Sequence, residues 1–80
     1  MTPRDNLVQA FASALCVPDT TGLESAEYRG IPQWDSIAHM RLVAEIETAF
    51  DIMLDTEDVI GMSSFHRAVE ILAKHGVNAG

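Results

Sequence analysis

The sequence predicts an all-α fold, a small antiparallel four-helix bundle with three principal helices, one short helix and a long first loop. Three observations predict it. Apolar residues recur at helical spacing in three separate stretches, and each stretch begins at a capping residue and ends at a turn former. The chain has only 80 residues, 48% of them hydrophobic and 21% charged, which suits one small globular domain. A chain of this size buries only about 60% of the surface that its unfolded form exposes.

The first helix is expected over Pro3–Leu15. Thr2 caps it, Pro3 suits the first helical position, and Asp5 complements the positive end. Leu7, Val8, Phe11, Ala14 and Leu15 form its buried stripe, and Cys16 just beyond is read as a small packed side chain.

Residues 16–34 form a long connection punctuated by Pro18, Gly22, Gly30 and Pro32. A loop of this length in so small a domain points to function or to partial order. Leu23, Tyr28 and Ile31 are expected to pin it to the core, with a short helical turn over 24–28.

The second helix is expected to begin at Ser36, with Trp34 anchoring the approach and Asp35 as N-cap. At about 100° per residue, Leu42, Val43, Ile46, Ala49 and Phe50 share the core face, with His39 beside them. Ile37, Met40 and Ala44 fall on the opposite side, among Glu47, Thr48 and Asp51. Two sizeable apolar side chains turned away from the core and bordered by acids mark a candidate partner surface.

Asp51-Ile52-Met53-Leu54 reads as a turn with apolar anchors. Asp55 and Thr56 then cap a short helix through Glu57, Asp58, Val59 and Ile60, stopped near Gly61. Ser63 or Ser64 caps the last helix, over 65–75, with Phe65, Ala68, Val69 and Leu72 as its stripe. Lys74 and His75 suit its negative end and Gly76 terminates it. The final residues are expected to fray.

Charge narrows the range of functions. The formal net charge is −7, and residues 35–58 hold seven of the twelve acids against one base, Arg41. Nucleic-acid binding requires the opposite sign and is set aside. Partners with basic patches are the natural expectation. No apolar run approaches the roughly 18 residues of a membrane span, so no membrane partner is expected. A single cysteine forms no internal disulfide, and no secretory leader is visible, so the expected compartment is the cytoplasm.

Metal and catalytic readings find little support. Asp51, Asp55 and Asp58 lack the spacing and the glycine of an EF-hand loop. His39, His66 and His75 are not spaced as ligands, so no metal is assigned. Ser36 and His39 stand three apart on one helix, but no third orienting group or oxyanion site accompanies them. The chain is therefore read as a carrier and not as an enzyme.

Asp35-Ser36 alone is a plain capping pair. In context, Trp34-Asp35-Ser36-Ile37, the helix running to Phe50-Asp51-Ile52 and the acidic stretch after it resemble an acyl carrier protein. The resemblance covers nearly the whole chain, including its length and the order of its segments. It implies that Ser36 is esterified by 4′-phosphopantetheine from coenzyme A, with Asp35 as the adjacent acid. The arm's thiol would carry acyl groups as thioesters. The implied partners are a phosphopantetheinyl transferase and acyl-activating, acyltransferase or synthase enzymes with basic patches, met by a monomer.

Ile37 stands where the family usually has leucine. Arg41 stands where many members carry an acid, so the helix is not uniformly acidic and Arg41 joins the partner-selecting residues. Ile37 and Met40 would supply apolar contacts, and Glu47, Asp51, Asp55, Glu57 and Asp58 the charge. Peptidyl carriers more often show a glycine-rich approach to the serine, which favours a discrete acyl carrier here. An aminoacyl or peptidyl cargo stays open, as does the choice among primary fatty-acid synthesis, polyketide assembly and a dedicated surface-polymer or secondary pathway. So does a helical adaptor that binds partners without a prosthetic group.

Overall fold

A computed structural model describes residues 2–17 and 22–80. Its elements are α1 (Pro3–Leu15), a 3-10 turn (Leu23–Ser25), α2 (Ser36–Phe50), α3 (Thr56–Gly61) and α4 (Phe65–Lys74). They form the small antiparallel helical bundle that the sequence predicts, and α1 packs chiefly on α2. Pro18, expected to punctuate the first loop, lies outside the described residues.

Local signals place the helix starts. The Thr2 hydroxyl accepts the Asp5 N–H at 3.1 Å, and Ser64 Oγ accepts the Arg67 N–H at 3.0 Å, so Ser64 is the cap. Asp55 and Asp58 form a reciprocal capping box, with the Asp58 N–H donating to Asp55 Oδ1 at 2.8 Å. Each of these bonds satisfies a backbone donor that the first turn leaves without a partner.

Phe11 sits at the centre of the core. Its ring lies edge-on to Trp34 at 5.3 Å and tilted against Phe65 at 5.0 Å, so α1, the loop before α2 and α4 meet at three aromatic rings. Leu7, Leu42, Ile46, Met62 and Leu72 complete the fully buried set.

The first loop is tied to the α3–α4 connection. The Tyr28 N–H donates to the Ser63 carbonyl at 2.8 Å, the Phe65 N–H donates to Ala26 at 3.1 Å, and Glu27 and Ser64 form an isolated antiparallel bridge. Those bonds draw 26–28 out straight, so the helical turn expected over 24–28 is instead the 3-10 turn at Leu23–Ser25. Leu23 is buried, while Tyr28 and Ile31 are half-buried.

Several expectations are corrected. Cys16 is exposed, not packed: it is the C-cap of α1, in the left-handed region at φ 54°. On α2, Ala38 is buried and Ala49 is exposed, because Ala49 borders an open groove lined by the polar Asn6, Gln9 and Ser13 of α1. Met53 is exposed between half-buried Ile52 and Leu54. Val8 and Val69 are only half-buried, and Ala10 and Ile71 are buried with the stripes. α4 ends at Lys74 with His75 as its C-cap, and Gly76 follows at φ 85°. The tail is docked on the bundle: Ala79 is buried and its carbonyl accepts Arg4 Nη1 at 3.1 Å. Arg4 also pairs with Glu24 and lies 5.3 Å from the Phe65 ring centre, so one side chain near the start of the chain meets the tail, the first loop and α4.

Candidate functional site

Ser36 is exposed at the first position of α2. Asp35 caps the helix, Oδ1 accepting the Ala38 N–H at 2.9 Å, and the Asp35 carbonyl accepts the His39 N–H at 2.9 Å. The capping carboxylate is thus engaged with backbone, and the serine side chain projects from the positive end of a 15-residue helix.

The serine's approach is rigid for reasons outside the helix. Trp34 is fully buried, and its indole N–H donates to His39 Nδ1 at 3.0 Å. A nitrogen that accepts here carries no proton, so Nε2 bears the ring hydrogen and donates to the Val59 carbonyl at 2.7 Å. The His39 ring thereby ties the residue before the cap to α3. Both of its nitrogens are occupied, and neither is engaged with Ser36.

Ser36 Oγ instead lies 3.0 Å from the Tyr28 phenol oxygen. The Tyr28 ring is 5.1 Å from His39 and 6.3 Å from Trp34, so three rings back the serine. Tyr28 and His39 also line a shallow pocket of about 250 Å³ with Val59, Ile60 and Met62. Tyr28 packs against the core as a pin, as expected, and its hydroxyl contact with Ser36 is an addition that nothing in the spacing of 28 and 36 signals.

The expected partner surface is only partly assembled. Ile37 and Met40 are exposed, at 69% and 59%, beside Ser36. Ile60, outside the expected surface, is 76% exposed near the end of α3 and borders the same pocket. Arg41, Asp51, Asp55 and Glu57 are at the surface. Glu47 is half-buried, and its carboxylate accepts the Leu54 N–H at 2.9 Å, which fixes the turn after α2.

Asp58 is withdrawn from that surface. Its side chain is 3% exposed and bonded to Lys74 and to His75 Nε2, the latter at 2.8 Å. These bonds, first from Lys74 and then from His75, hold its carboxyl at about 2, below the ordinary 3.8, against the opposing effect of burial. The same bond to Asp58 raises Lys74 above its ordinary value. The acid counted toward a partner is therefore an internal tie between α3 and α4.

Among the described residues no three His, Cys, Asp or Glu side chains gather as a candidate metal site, and no helix is long and apolar enough to cross a membrane. Compared with models of known protein families, with curated proteins and with solved structures, the chain gave no significant match.

Proposed function

We propose that the chain is a discrete acyl carrier protein, with Ser36 as the attachment point of a 4′-phosphopantetheine arm. The observation that carries this reading is an exposed serine hydroxyl at the start of a rigidly seated helix, flanked by outward-facing Ile37 and Met40. The residues fit the group: the hydroxyl is open to solvent, and the helix end favours a phosphate's negative charge. When attached, the arm supplies a thiol that bears acyl groups as thioesters.

The chain's own residues then do the presenting. Asp35, Trp34 and His39 hold the helix start still, so that cargo pivots from one fixed point at high effective concentration near a partner's active site. Ile37, Met40 and Ile60 offer apolar contact, and Asp51, Asp55 and Glu57 offer charge to basic patches on partner enzymes. A carrier that must leave each enzyme it visits needs only a modest interface.

The test is intact mass. Coexpressed with a broad-specificity phosphopantetheinyl transferase, the wild-type chain gains the mass of the arm, and Ser36→Ala gains nothing. A wild type that stays unmodified overturns the carrier reading and favours a helical adaptor, which would use the same exposed side chains without a covalent group.

A further inference from the structure

We propose that Tyr28 is a positioning residue for Ser36: its phenol fixes the serine hydroxyl before modification and donates to the attached phosphodiester afterwards. The inference rests on reading Ser36 as the attachment point, and it adds a residue from outside the helix to that chemistry. A serine on the surface of a helix's first turn has several staggered rotamers and water as a ready partner. Here one phenol, from a different segment of the chain, lies 3.0 Å from Oγ and selects among them.

The phenol is itself held in place. The Tyr28 N–H is bonded to Ser63 at 2.8 Å, and its ring is tilted 50° against His39 and stands at 71° to Trp34. His39 is fixed through both nitrogens, to Trp34 and Val59. The loop, the α3–α4 connection and the start of α2 therefore converge on the position of one hydroxyl.

Modification changes the hydrogen-bond arithmetic of the pair. Before it, either hydroxyl can donate to the other. As the bond between Oγ and phosphorus forms, the serine proton passes to a base on the transferase. The phosphoanhydride bond of coenzyme A breaks, and its nucleotide half leaves with the electron pair. Oγ is then an acceptor only, beside a phosphate that carries negative charge. Tyr28 is the one remaining donor of the two, and a phenol donating to an anionic oxygen makes a short, charge-assisted bond.

The experiment compares wild type with Tyr28→Phe, which keeps the ring and removes the hydroxyl. Steady-state modification by a broad-specificity transferase with coenzyme A should show kcat for Y28F lowered about three- to tenfold, the value of one hydrogen bond, with KM within twofold. The partner surface at Ile37 and Met40 is untouched, so a lost recognition contact would raise KM instead. The phosphorus-31 resonance of the modified protein should shift between wild type and Y28F. Tyr28 is the only tyrosine, so its Cζ resonance should also move when wild type is modified, a readout that needs no variant. Equal kcat, an unchanged phosphorus resonance and a stationary Cζ overturn the role of Tyr28 while leaving the carrier reading intact. A wild type that takes no arm overturns both.

Discussion

α2 and α3 are neighbours in the chain and are held by opposite means. α2 buries Ala38, Leu42, Val43 and Ile46, all apolar, and Ala38, Leu42 and Ile46 join the core centred on Phe11. α3 has six residues, and its only buried residue is Asp58, a charged one. The capping box closes its own first turn, and its polar ties to the bundle are the His39 ring on the Val59 carbonyl and the bonds from Asp58 to Lys74 and His75. Buried apolar area neither titrates nor is screened by salt, whereas charge-assisted bonds answer to both pH and screening. The site's rigid base and its adjustable flank are thus built from different forces.

The largest effect expected is on the apolar side. Phe11→Ala removes the ring shared by Trp34 and Phe65 and should cost about 3–5 kcal/mol, read from chemical denaturation. All helices should lose protection together. A loss confined to α1 would mean that the core is not the single unit described above.

His39→Ala crosses the boundary between the two regions. It leaves the Trp34 N–H and the Val59 carbonyl without their partner and should cost about 1–3 kcal/mol. Hydrogen exchange should quicken at the start of α2 and in α3 more than in α1. Uniform quickening would put His39 with the apolar core and erase the distinction.

Asp58→Asn is the mildest and most local change. It keeps the shape of the side chain and removes the charge that Lys74 and His75 bind, so amides of α3 should lose protection while α1 keeps its own. The pH dependence has a defined sign. Asp58 is depressed in the folded chain, so its contribution is present above the ordinary value of 3.8 and is lost as pH falls through about 2. Lys74 is raised, so the same tie is present below 10.5 and fades as pH climbs through the raised value. Wild type and Asp58→Asn should therefore differ at neutral pH and converge between about pH 4 and pH 2. A difference that persists unchanged at pH 2 would show that the charge is not what binds α3.

The helices were legible because their signals act within a few residues. Thr2, Asp35, Asp55 and Ser64 each bond a backbone N–H three positions on, so reading a cap required no knowledge of the rest of the fold. The outward turn of Ile37 and Met40 followed from periodicity alone. Asp58 was misplaced for the converse reason. Within its own segment it is one more acid in an acidic run, and its partners are sixteen and seventeen residues away. The exposure of Ile60 was likewise invisible, because a short helix shows too few turns to define a face.

By itself the sequence determined the helices, their starts, the buried position of Trp34 and the open position of Ser36. Tertiary structure alone decided the long-range pairs: Tyr28 on the Ser36 hydroxyl, His39 spanning Trp34 and Val59, and, elsewhere in the fold, Asp58 turned inward and Ala79 docked on Arg4. The reason is range. Caps and amphipathic stripes are satisfied by neighbours along the chain, whereas a side-chain pair forms only where folding returns two distant segments to one place.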